Sequence, residues 1–523
     1  MKNIFNYGED RLTASAALKI ATGKLEGCLS DTARQKVTAS RQAVDDIVER
    51  GKVVYGINTG FGSLCNKIIS KENTRKLQDN ILRSHSVGVG DAIEPTIAKL
   101  MMIIKVQALS QGYSGISPEV LDRIIWHINT DIIPEVPSQG SLGASGDLAP
   151  LAHLFLPLIG LGKVYQDGAL KDSAAVLQQF NLSPINLGAK EGLALINGTQ
   201  FIAAHGVKAL ERLHNCLETA DIIGAMSLEG LLGSAAPFDE ALHQLRPFRG
   251  NLHVAHRLRT LLHNSEMVAS HKDCGRVQDP YSLRCMPQVH GTSRNAWLHL
   301  KELLEIELNA VTDNPIVFNA DKTVSGGNFH GQPLALPLDY AALAAAEIGN
   351  ISDRRIYLLL EGGVNGLPEL LMHDTGINSG FMIPQYTSAA LVSENKGLCF
   401  PASADSIPSS LGQEDHVSMG SISGRKANQI LGNLENILAV ELLCAAQAFD
   451  YRKPMKSSKL LDACHELVRS RIEHAEEDRI FAEDIHILNQ IIRKKELLHL
   501  TEEVAQNENI NLHGPYYEDF GIY

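Results

Sequence analysis

The chain has 523 residues, 44% of them hydrophobic and only 5% aromatic, so it is long enough to bury a large core and favours helices over strands. Its formal charge of −13 at pH 7 argues against nucleic acids and anionic membrane surfaces as partners. The same charge means that an anionic substrate needs a cation placed close to it.

The cysteines and the N-terminal residues indicate the compartment. The eight cysteines are scattered and include no Cys-x-x-Cys pair, which in a chain of this length indicates free thiols in a reducing compartment. The first residues, MKNIFNYGEDRL, lack the apolar segment of a secretion signal. No uninterrupted apolar run reaches the roughly 18 residues that a membrane-spanning helix needs. We therefore expect a soluble, cytoplasmic protein.

The first half of the chain is interrupted by glycine. Loops are expected at 53–64 (VVYGINTGFGSL), 84–91 (SHSVGVGD) and 138–150 (SQGSLGASGDLAP), with short helical stretches between them. Beyond about residue 190 the pattern changes to long helical segments.

Apolar residues repeat at helical spacing in four long segments of the second half. The first, 293–311, begins with Ser293 as a plausible N-cap. The others are 336–363, 425–449 and 479–504. Helices of this length joined by Gly- and Pro-marked loops are typical of a helical bundle.

The organisation predicted from these segments is one compact unit. The sequence contains no Pro/Ser-rich linker, no low-complexity tract and no internal repeat. We expect a mainly α fold in which a loop-rich N-terminal region, 1–200, is mounted on a helical bundle with C-terminal helices, 201–523.

Three patterns resemble binding motifs but lack essential parts. His253, His256 and His263 lie in HVAHRLRTLLH, where no carboxylate or thiol completes a set of metal ligands. The segment 158–165, LIGLGKVY, has Gly-x-Gly-Lys without the spacing of a phosphate-binding loop. The basic cluster in 450–459 is short and typical of a solvated connection. We expect no metal, nucleotide or nucleic-acid site.

Six other stretches combine glycine with polar residues. They are YGINTGFG (from Tyr55), SLGASGDLAPLAH (with Ala144, Ser145 and Gly146), AKEGLALINGTQ (with Asn197), VQDPYSLRCMPQVHG (with Gln278, Tyr281 and Arg284), GGNFHG (with Phe329) and SIPSSLGQEDHVSMG (with Glu414). Each alone is typical of a turn or a helix end, so the informative observation is their joint occurrence.

In this order, from about residue 10 to about residue 455, these stretches closely resemble the methylidene-imidazolone-dependent aromatic amino acid ammonia-lyases, and among them the histidine type. The resemblance implies a fumarase/aspartase-like long helical bundle and a homotetramer whose active sites combine residues from different subunits. It also implies deamination of L-histidine to trans-urocanate and ammonia, the first step of histidine breakdown, with no metal or other external cofactor.

The resemblance further implies that Ala144, Ser145 and Gly146 cyclise on their own to 4-methylidene-imidazole-5-one. The residue types suit this chemistry. The backbone nitrogen of Gly146 must attack the carbonyl carbon of Ala144, and glycine permits the tight bend that this requires. Loss of water from Ser145 then leaves an exposed methylene that larger neighbours would block.

Removing ammonia also requires a base for the weakly acidic β-hydrogen. By the resemblance this base is Tyr55. A free tyrosine has a pKa of about 10, so the site must stabilise the phenolate through nearby cations or helix N-termini.

The remaining matched positions concern the substrate's amino-acid portion and the pocket wall. Arg284 is expected to hold the substrate carboxylate through a two-pronged guanidinium contact, and it supplies the local cation that the net charge calls for. Asn197, Gln278 and Tyr281 match positions around the electrophile, where they can orient the amine by hydrogen bonds. Phe329 matches an aromatic wall of the pocket.

Two positions bear on the choice of amino acid. His85, in RSHSVGVG, matches the residue that faces the substrate side chain, but a Ser-His-Ser sequence also occurs in tyrosine-specific relatives. Glu414 is more informative, because a carboxylate can accept a hydrogen bond from an imidazole N–H and gains nothing beside a phenyl ring. The segments 277–285 and 377–391 also resemble the histidine type.

The sequence departs from the family pattern at two places near the expected imidazole end of the pocket. Cys399-Phe400 stands where a histidine often precedes Pro-Ala-Ser, and Leu411-Gly412 comes just before Gln-Glu-Asp-His. These departures leave two alternatives open within and outside the family. One is a tyrosine or phenylalanine ammonia-lyase or an aminomutase, and the other is a helical scaffold protein that has lost the electrophile.

Overall fold

The computed structural model describes residues 4–60, 62–64, 66–271, 277–363 and 366–523. Cys65 and Cys274 lie outside these ranges, and the other six cysteines form no disulfide within them. The chain divides into two compact units. Unit 1 contains Met1–Lys208, Lys301–Asp339 and Pro401–Arg425, and unit 2 contains Ala209–Leu300, Tyr340–Phe400 and Lys426–Tyr523.

The strands of the described residues are short and lie in unit 1. In chain order they are β1 (Ile4–Tyr7), β2 (Glu26–Leu29), β3 (Val89–Ala92), β4 (Ile133–Pro134), β5 (Pro137–Gln139), β6 (Lys163–Gln166), β7 (Ala169–Asp172), β8 (Ile316–Val317) and β9 (Thr323–Val324). β1 pairs with β2 in parallel, with Ile4 opposite Glu26, and the other pairs are antiparallel: β3 with β5, β6 between β4 and β7, and β8 with β9.

Helices form most of the structure. They are α1 (Ala14–Ala21), α2 (Asp31–Glu49), α3 (Lys71–His85), α4 (Pro95–Leu109), α5 (Pro118–Thr130), α6 (Leu148–Phe155), α7 (Ser173–Gln179), α8 (Glu191–Ile196), α9 (Gln200–Gly230), α10 (Glu240–Gln244), α11 (Arg249–Leu261), α12 (Glu266–Ala269), α13 (Tyr281–Arg284), α14 (Met286–Glu307), α15 (Gln332–Leu360), α16 (Met382–Leu398), α17 (Gly420–Asp450), α18 (Lys459–Arg469), α19 (Phe481–Arg493) and α20 (Glu496–Asn507). The expectation of a mainly α fold is confirmed.

In unit 1 the buried helix α4 and the connection between α8 and α9 position residues of the site. α4 begins at Pro95, whose fixed φ suits the first helical position, and every residue from Ile97 to Leu109 is buried. α8 ends at Ile196 and is followed by Asn197, which has extended backbone geometry, and α9 begins at Gln200. This short connection carries Asn197 and Gly198.

In unit 2 buried ion pairs join three helices. Arg294 of α14 donates hydrogen bonds to Glu218 and Asp221 of α9 at 2.6 and 2.5 Å, and Arg257 of α11 donates to Asp221 at 2.9 Å. All four side chains are almost completely buried. Removing one member would leave a buried charge without compensation, so the group fixes the register of these helices.

The helix bounds differ from those predicted, most clearly in the first and last of the four segments. α14 begins at Met286, seven residues before Ser293, so the N-cap prediction is wrong; the buried Ser293 hydroxyl instead donates to the carbonyl oxygen of Ala344. The predicted segment 479–504 is two helices, because Lys495 adopts a left-handed conformation with φ of 61°.

Among the described residues, one helix, α17, is long and apolar enough to cross a membrane by length and composition alone. Its most apolar stretch is 78% buried inside the protein, as expected for a core helix.

Candidate active site

The Ala-Ser-Gly stretch forms a tight loop that leads into α6. Gly143 and Gly146 both have positive φ, 68° and 73°, which only glycine adopts without strain. A Cβ on Gly146 would overlap the carbonyl oxygen of Gly198, and one on Gly143 would overlap the hydroxyl of Ser418. The loop therefore requires its glycines both for their backbone conformation and for the close approach of neighbouring chain.

Ser145, at the tip of this loop, is held by three partners. Its hydroxyl donates to Glu414 Oε1 at 3.1 Å. Its carbonyl oxygen accepts from Asn197 Nδ2 at 3.2 Å and from the backbone N–H of Gly198 at 3.5 Å. The second carboxylate oxygen of Glu414 accepts from the Ser409 hydroxyl at 3.0 Å, which fixes the carboxylate beside the loop.

Tyr55 lies on a separate turn whose shape is fixed by side-chain hydrogen bonds. Asn58 Oδ1 accepts from the backbone N–H of Val54 at 2.9 Å, and Thr59 Oγ1 accepts from that of Gly56 at 3.1 Å. The phenolic oxygen of Tyr55 accepts from the backbone N–H of Gly62 at 3.3 Å. This hydrogen bond favours negative charge on the phenolic oxygen.

A cavity of about 660 Å³ in unit 1 brings these elements together. Its walls contain five of the residues predicted from the sequence: Tyr55, His85, Ser145, Asn197 and Glu414. The rest of the wall is formed by Gly60, Gly62, Leu64, Lys67, Ile69, Leu77, Asn80, Ile81, Ser84, Leu148, Leu193 and Ser410. A smaller cavity of about 230 Å³ contacts the same loop through Ala144 and Gly146. The volume suits a small-molecule ligand.

Two side chains in the cavity wall, those of Asn197 and His85, can form hydrogen bonds with a ligand. Asn197 is buried, and among the described residues its side-chain oxygen has no hydrogen-bond partner. Burial lowers the pKa of His85, while the nearby Glu414 acts to raise it. His85 is therefore a neutral imidazole at pH 7, with Nδ1 in hydrogen-bond contact with Ser84 Oγ at 2.9 Å.

Buried charges that the sequence did not mark lie behind the loop. The Asp147 carboxylate accepts from the backbone N–H groups of Phe201 and Ile202 at 3.0 Å each and so caps the start of α9. Burial raises the pKa of Asp147 to about 7, against these hydrogen bonds. Lys105 of α4 donates to the carbonyl oxygen of Asn197 at 2.5 Å. Its apolar surroundings in LMMIIKVQAL indicate only a buried helix, so the sequence carried no signal for this contact.

Four predicted residues do not contribute to the wall of either cavity. Gln278, Tyr281 and Arg284 belong to unit 2, where Gln278 and Tyr281 are exposed. The Arg284 guanidinium lies 4.5 Å from the Tyr281 ring centroid, and its Nε donates to the Asp279 carbonyl oxygen at 2.9 Å. Phe329 is half-buried in unit 1.

The departures from the family pattern are also outside the cavity walls. Phe400 is 83% exposed and Leu411 is 95% exposed. Ser410, the neighbour of Leu411, does line the cavity, and its hydroxyl accepts from the backbone N–H of Ser63 at 3.3 Å. The Leu411-Gly412 departure therefore lies in the loop that carries Ser409 and Glu414. Neither Leu411 nor Gly412 lines the cavity.

Two other places in the structure have features of a binding site. A larger groove of about 930 Å³ in unit 1 is lined by residues of helices, strands and loops, with an ion pair between Lys99 Nζ and Asp131 Oδ1 at 2.7 Å. In unit 2, ligand atoms of Glu218, His253 and His513 lie within 4.8 Å of one another. Glu218 already pairs with two arginines, whose positive charge opposes a metal ion there.

The chain is similar to known proteins of one enzyme family. A family model described as aromatic amino acid lyase matches residues 12–470. A histidine ammonia-lyase of Natranaerobius thermophilus is 48% identical over 466 residues, which cover 89% of this chain and 92% of that relative. The human histidine ammonia-lyase is 44% identical over 494 residues, or 93% of this chain and 75% of that protein.

Solved structures are also similar to this chain. The crystal structure of histidine ammonia-lyase from Trypanosoma cruzi has a TM-score of 0.90 at 39% identity, covering 100% of this chain and 98% of that one. A tyrosine aminomutase from Streptomyces globisporus has a TM-score of 0.91 at 34% identity, covering 96% and 99%.

Proposed function

Because the chain belongs to the aromatic amino acid lyase family, we propose that it is a histidine ammonia-lyase, which removes ammonia from L-histidine and leaves trans-urocanate. The structural observation that carries the proposal is the position of Glu414. Its carboxylate lies 3.1 Å from the Ser145 hydroxyl in a cavity that also contains Tyr55 and His85. A carboxylate in an otherwise mostly apolar pocket suits an imidazole and not a phenyl ring.

The residues present fit a methylidene-imidazolone formed from Ala144, Ser145 and Gly146. The loop is tightly bent, Gly146 has no room for a Cβ, and Ser145 reaches the cavity. The group supplies an electrophilic carbon that takes up the substrate amine, which makes the nitrogen a better leaving group. The enzyme then needs no external cofactor.

Proton removal is assigned to Tyr55. Its phenolic oxygen takes the β-proton of the substrate, and the Gly62 N–H stabilises the negative charge that this oxygen carries beforehand. Asn197 presents its unpartnered side-chain oxygen to the substrate amine and so orients the nitrogen toward Ser145. His85 and Glu414 contact the imidazole, His85 as a neutral ring and Glu414 as an acceptor of the ring N–H.

The substrate carboxylate is assigned to Arg284 of another subunit in a homotetramer. In the single chain Arg284, Gln278 and Tyr281 are absent from the cavity wall, and Gln278 and Tyr281 are exposed. An anionic carboxylate on a protein of charge −13 requires a positioned cation, which Arg284 supplies. We place this assembly in the cytoplasm, in keeping with cysteines that form no disulfide in the described ranges.

One assay tests the substrate. The purified protein is incubated separately with L-histidine, L-tyrosine and L-phenylalanine, and the ultraviolet absorbance of each conjugated acid is followed. We expect product from histidine at the highest kcat/KM. Product from tyrosine alone would overturn the assignment, and formation of a β-amino acid would identify an aminomutase. No product from any of the three, together with an uncyclised Ser145 by mass spectrometry, would identify an inactive scaffold.

A further inference from the structure

Lys105 is a buried cation directly behind the proposed electrophile. It is 1% exposed and extends from the middle of α4. Its Nζ donates to the carbonyl oxygen of Asn197 at 2.5 Å and to the side-chain oxygen of Gln200 at 3.5 Å. Burying an ammonium group is costly, and the reaction outlined above assigns it no part.

The carbonyl group that Lys105 contacts belongs to the same peptide unit as a donor to Ser145. The Asn197 carbonyl and the Gly198 N–H are the two ends of one peptide bond. The Gly198 N–H points at the Ser145 carbonyl oxygen at 3.5 Å, where the Asn197 side chain also donates at 3.2 Å. A cation at one end of a peptide group polarises it and strengthens the N–H at the other end.

Neighbouring side chains hold this peptide unit in place. Gly198 has a φ of 131°, and a Cβ there would lie 2.6 Å from Gln200 Oε1 and 2.8 Å from Thr312 Oγ1. Gln200 Nε2 in turn donates to Thr312 Oγ1 at 2.9 Å. The Gly198 carbonyl oxygen accepts from the Asp147 N–H at 2.7 Å. The peptide is thereby kept facing Ser145.

We propose that Lys105 is a positioning residue that acts through the Asn197–Gly198 peptide to stabilise negative charge on the Ser145 carbonyl oxygen. The inference rests on the proposed function, because this oxygen would gain negative charge both when the electrophile forms and when it takes up the substrate amine. Preoriented hydrogen-bond donors lower the energy of the charged state in both steps.

The maturation chemistry balances without any further reactant. Ring closure joins Gly146 N to the Ala144 carbonyl carbon, and the Ala144 oxygen leaves as water with the amide protons of Gly146 and Ser145. Ser145 then loses its Cα proton and its hydroxyl as a second water. In this second step electron density moves toward the Ser145 carbonyl oxygen, so donors to that oxygen make the Cα proton easier to remove.

The charge on Lys105 depends on pH near neutrality. Burial lowers its pKa to about 7. Among the charged groups around it, Asp313 and Asp147 act to raise the pKa and Lys190 acts to lower it. Lys190 is itself paired with Asp313 at 2.6 Å. The advantage of the wild type over a variant without this charge should therefore shrink as the pH rises through about 7.

The test compares Lys105→Met, which removes the charge, with Lys105→Arg, which keeps it, and Lys105→Gln, which keeps a neutral donor. The cyclised fraction is measured as the mass of the proteolytic peptide that contains residues 144–146, which is two waters lighter when mature. Turnover of histidine is then expressed per cyclised subunit. We expect kcat of Lys105→Met to fall about 10–100-fold with little change in KM, with partial recovery in Lys105→Arg.

Lys99→Met is the matched control, since Lys99 lies on the same helix, is also buried and pairs with Asp131 away from the cavity. It should leave the cyclised fraction and kcat unchanged. A Lys105→Met protein that folds, by circular dichroism, and matures incompletely while Lys105→Arg matures also supports the proposal. If Lys105→Met fails to fold, Lys105→Gln decides by the same measurements.

Equal maturation and equal kcat in wild type and Lys105→Met would overturn the proposal, as would an equal loss in Lys99→Met. If the wild type itself turned over no amino acid, the proposed function would fail. The difference in cyclised fraction between wild type and Lys105→Met would still decide the role of Lys105.

Discussion

Glu414 contacts two hydroxyl groups, those of Ser145 and Ser409, and each contact uses a different carboxylate oxygen. Maturation removes the Ser145 hydroxyl, so the carboxylate oxygen that it contacts becomes available to the N–H donor of a substrate imidazole in this half-buried environment. A hydrogen bond to a charged group in such a setting is worth about 1.5–3 kcal/mol. The carboxylate therefore favours histidine over an amino acid whose ring has no N–H.

Replacing Glu414 by Ala should lower kcat/KM for histidine by about 10–100-fold, the equivalent of that hydrogen bond. The matched control is Glu49→Ala, since Glu49 is an exposed residue at the end of α2. The measurement is steady-state urocanate formation by each variant. Equal losses in the two variants would contradict the role of Glu414 in specificity.

The proposed role of Tyr55 as the base depends on its phenolic oxygen. Tyr55→Phe keeps the ring and removes the atom to which Gly62 donates. We expect kcat to fall by at least about 100-fold, the usual contribution of a positioned base, while the cyclised fraction is unchanged. Tyr113→Phe, which changes an exposed tyrosine outside the cavity, serves as the control. Near-normal turnover by Tyr55→Phe would show that another group takes the proton.

At the scale of elements, the loop before α6 depends on a close approach of two chain segments. Gly146 and Gly198 face each other in a parallel bridge, and a Cβ on Gly146 would overlap the Gly198 carbonyl oxygen. Backbone on both sides leaves no flexible side chain to move aside. The loop and the α8–α9 connection thus fix one another.

Gly146→Ala should abolish cyclisation, which the mass of the peptide containing residues 144–146 measures. The control is Gly168→Ala in the turn between β6 and β7. Gly168 has nearly the same φ, 76° against 73°, but open space where its Cβ would lie. Both variants bear the cost of a left-handed alanine, about 1–2 kcal/mol, and only Gly146→Ala adds the overlap. A mature loop in Gly146→Ala would show that the contact with Gly198 is dispensable.

The elements also show what the sequence could and could not predict. The helical class followed from apolar periodicity, and five of the cavity residues followed from motifs resembling a known family. The start of α14 was missed because Ser293 has the residue type of an N-cap, whereas its hydroxyl bonds a neighbouring helix, which is a tertiary contact. Lys105 was missed for the same reason, since its partner Asn197 is 92 residues away.

At the scale of the whole molecule, the predicted substrate-binding residues fall into two groups. Tyr55, Asn197 and Glu414 line one cavity of unit 1, whereas Gln278 and Arg284 belong to unit 2 and do not line it. The proposed homotetramer, in which active sites combine residues from different subunits, would account for these two groups, because symmetry presents the same surface of one subunit to another. Each active site would then need two chains. One must supply the intact cavity residues of unit 1, and the other must supply intact Gln278 and Arg284.

Complementation between inactive variants tests this arrangement. Tyr55→Phe and Arg284→Ala chains, each nearly inactive alone, are unfolded together, refolded as a mixture and assayed for urocanate formation. If Tyr55 and Arg284 of one site come from different chains, about a quarter of the sites in an equal mixture receive both intact residues, so the mixture should regain about a quarter of wild-type activity. Tyr55→Phe mixed with Asn197→Ala is the control. Both residues line the cavity of one chain, so every site keeps a defect and no activity should return. Activity of the first mixture no higher than that of its components would place Tyr55 and Arg284 of each site on a single chain.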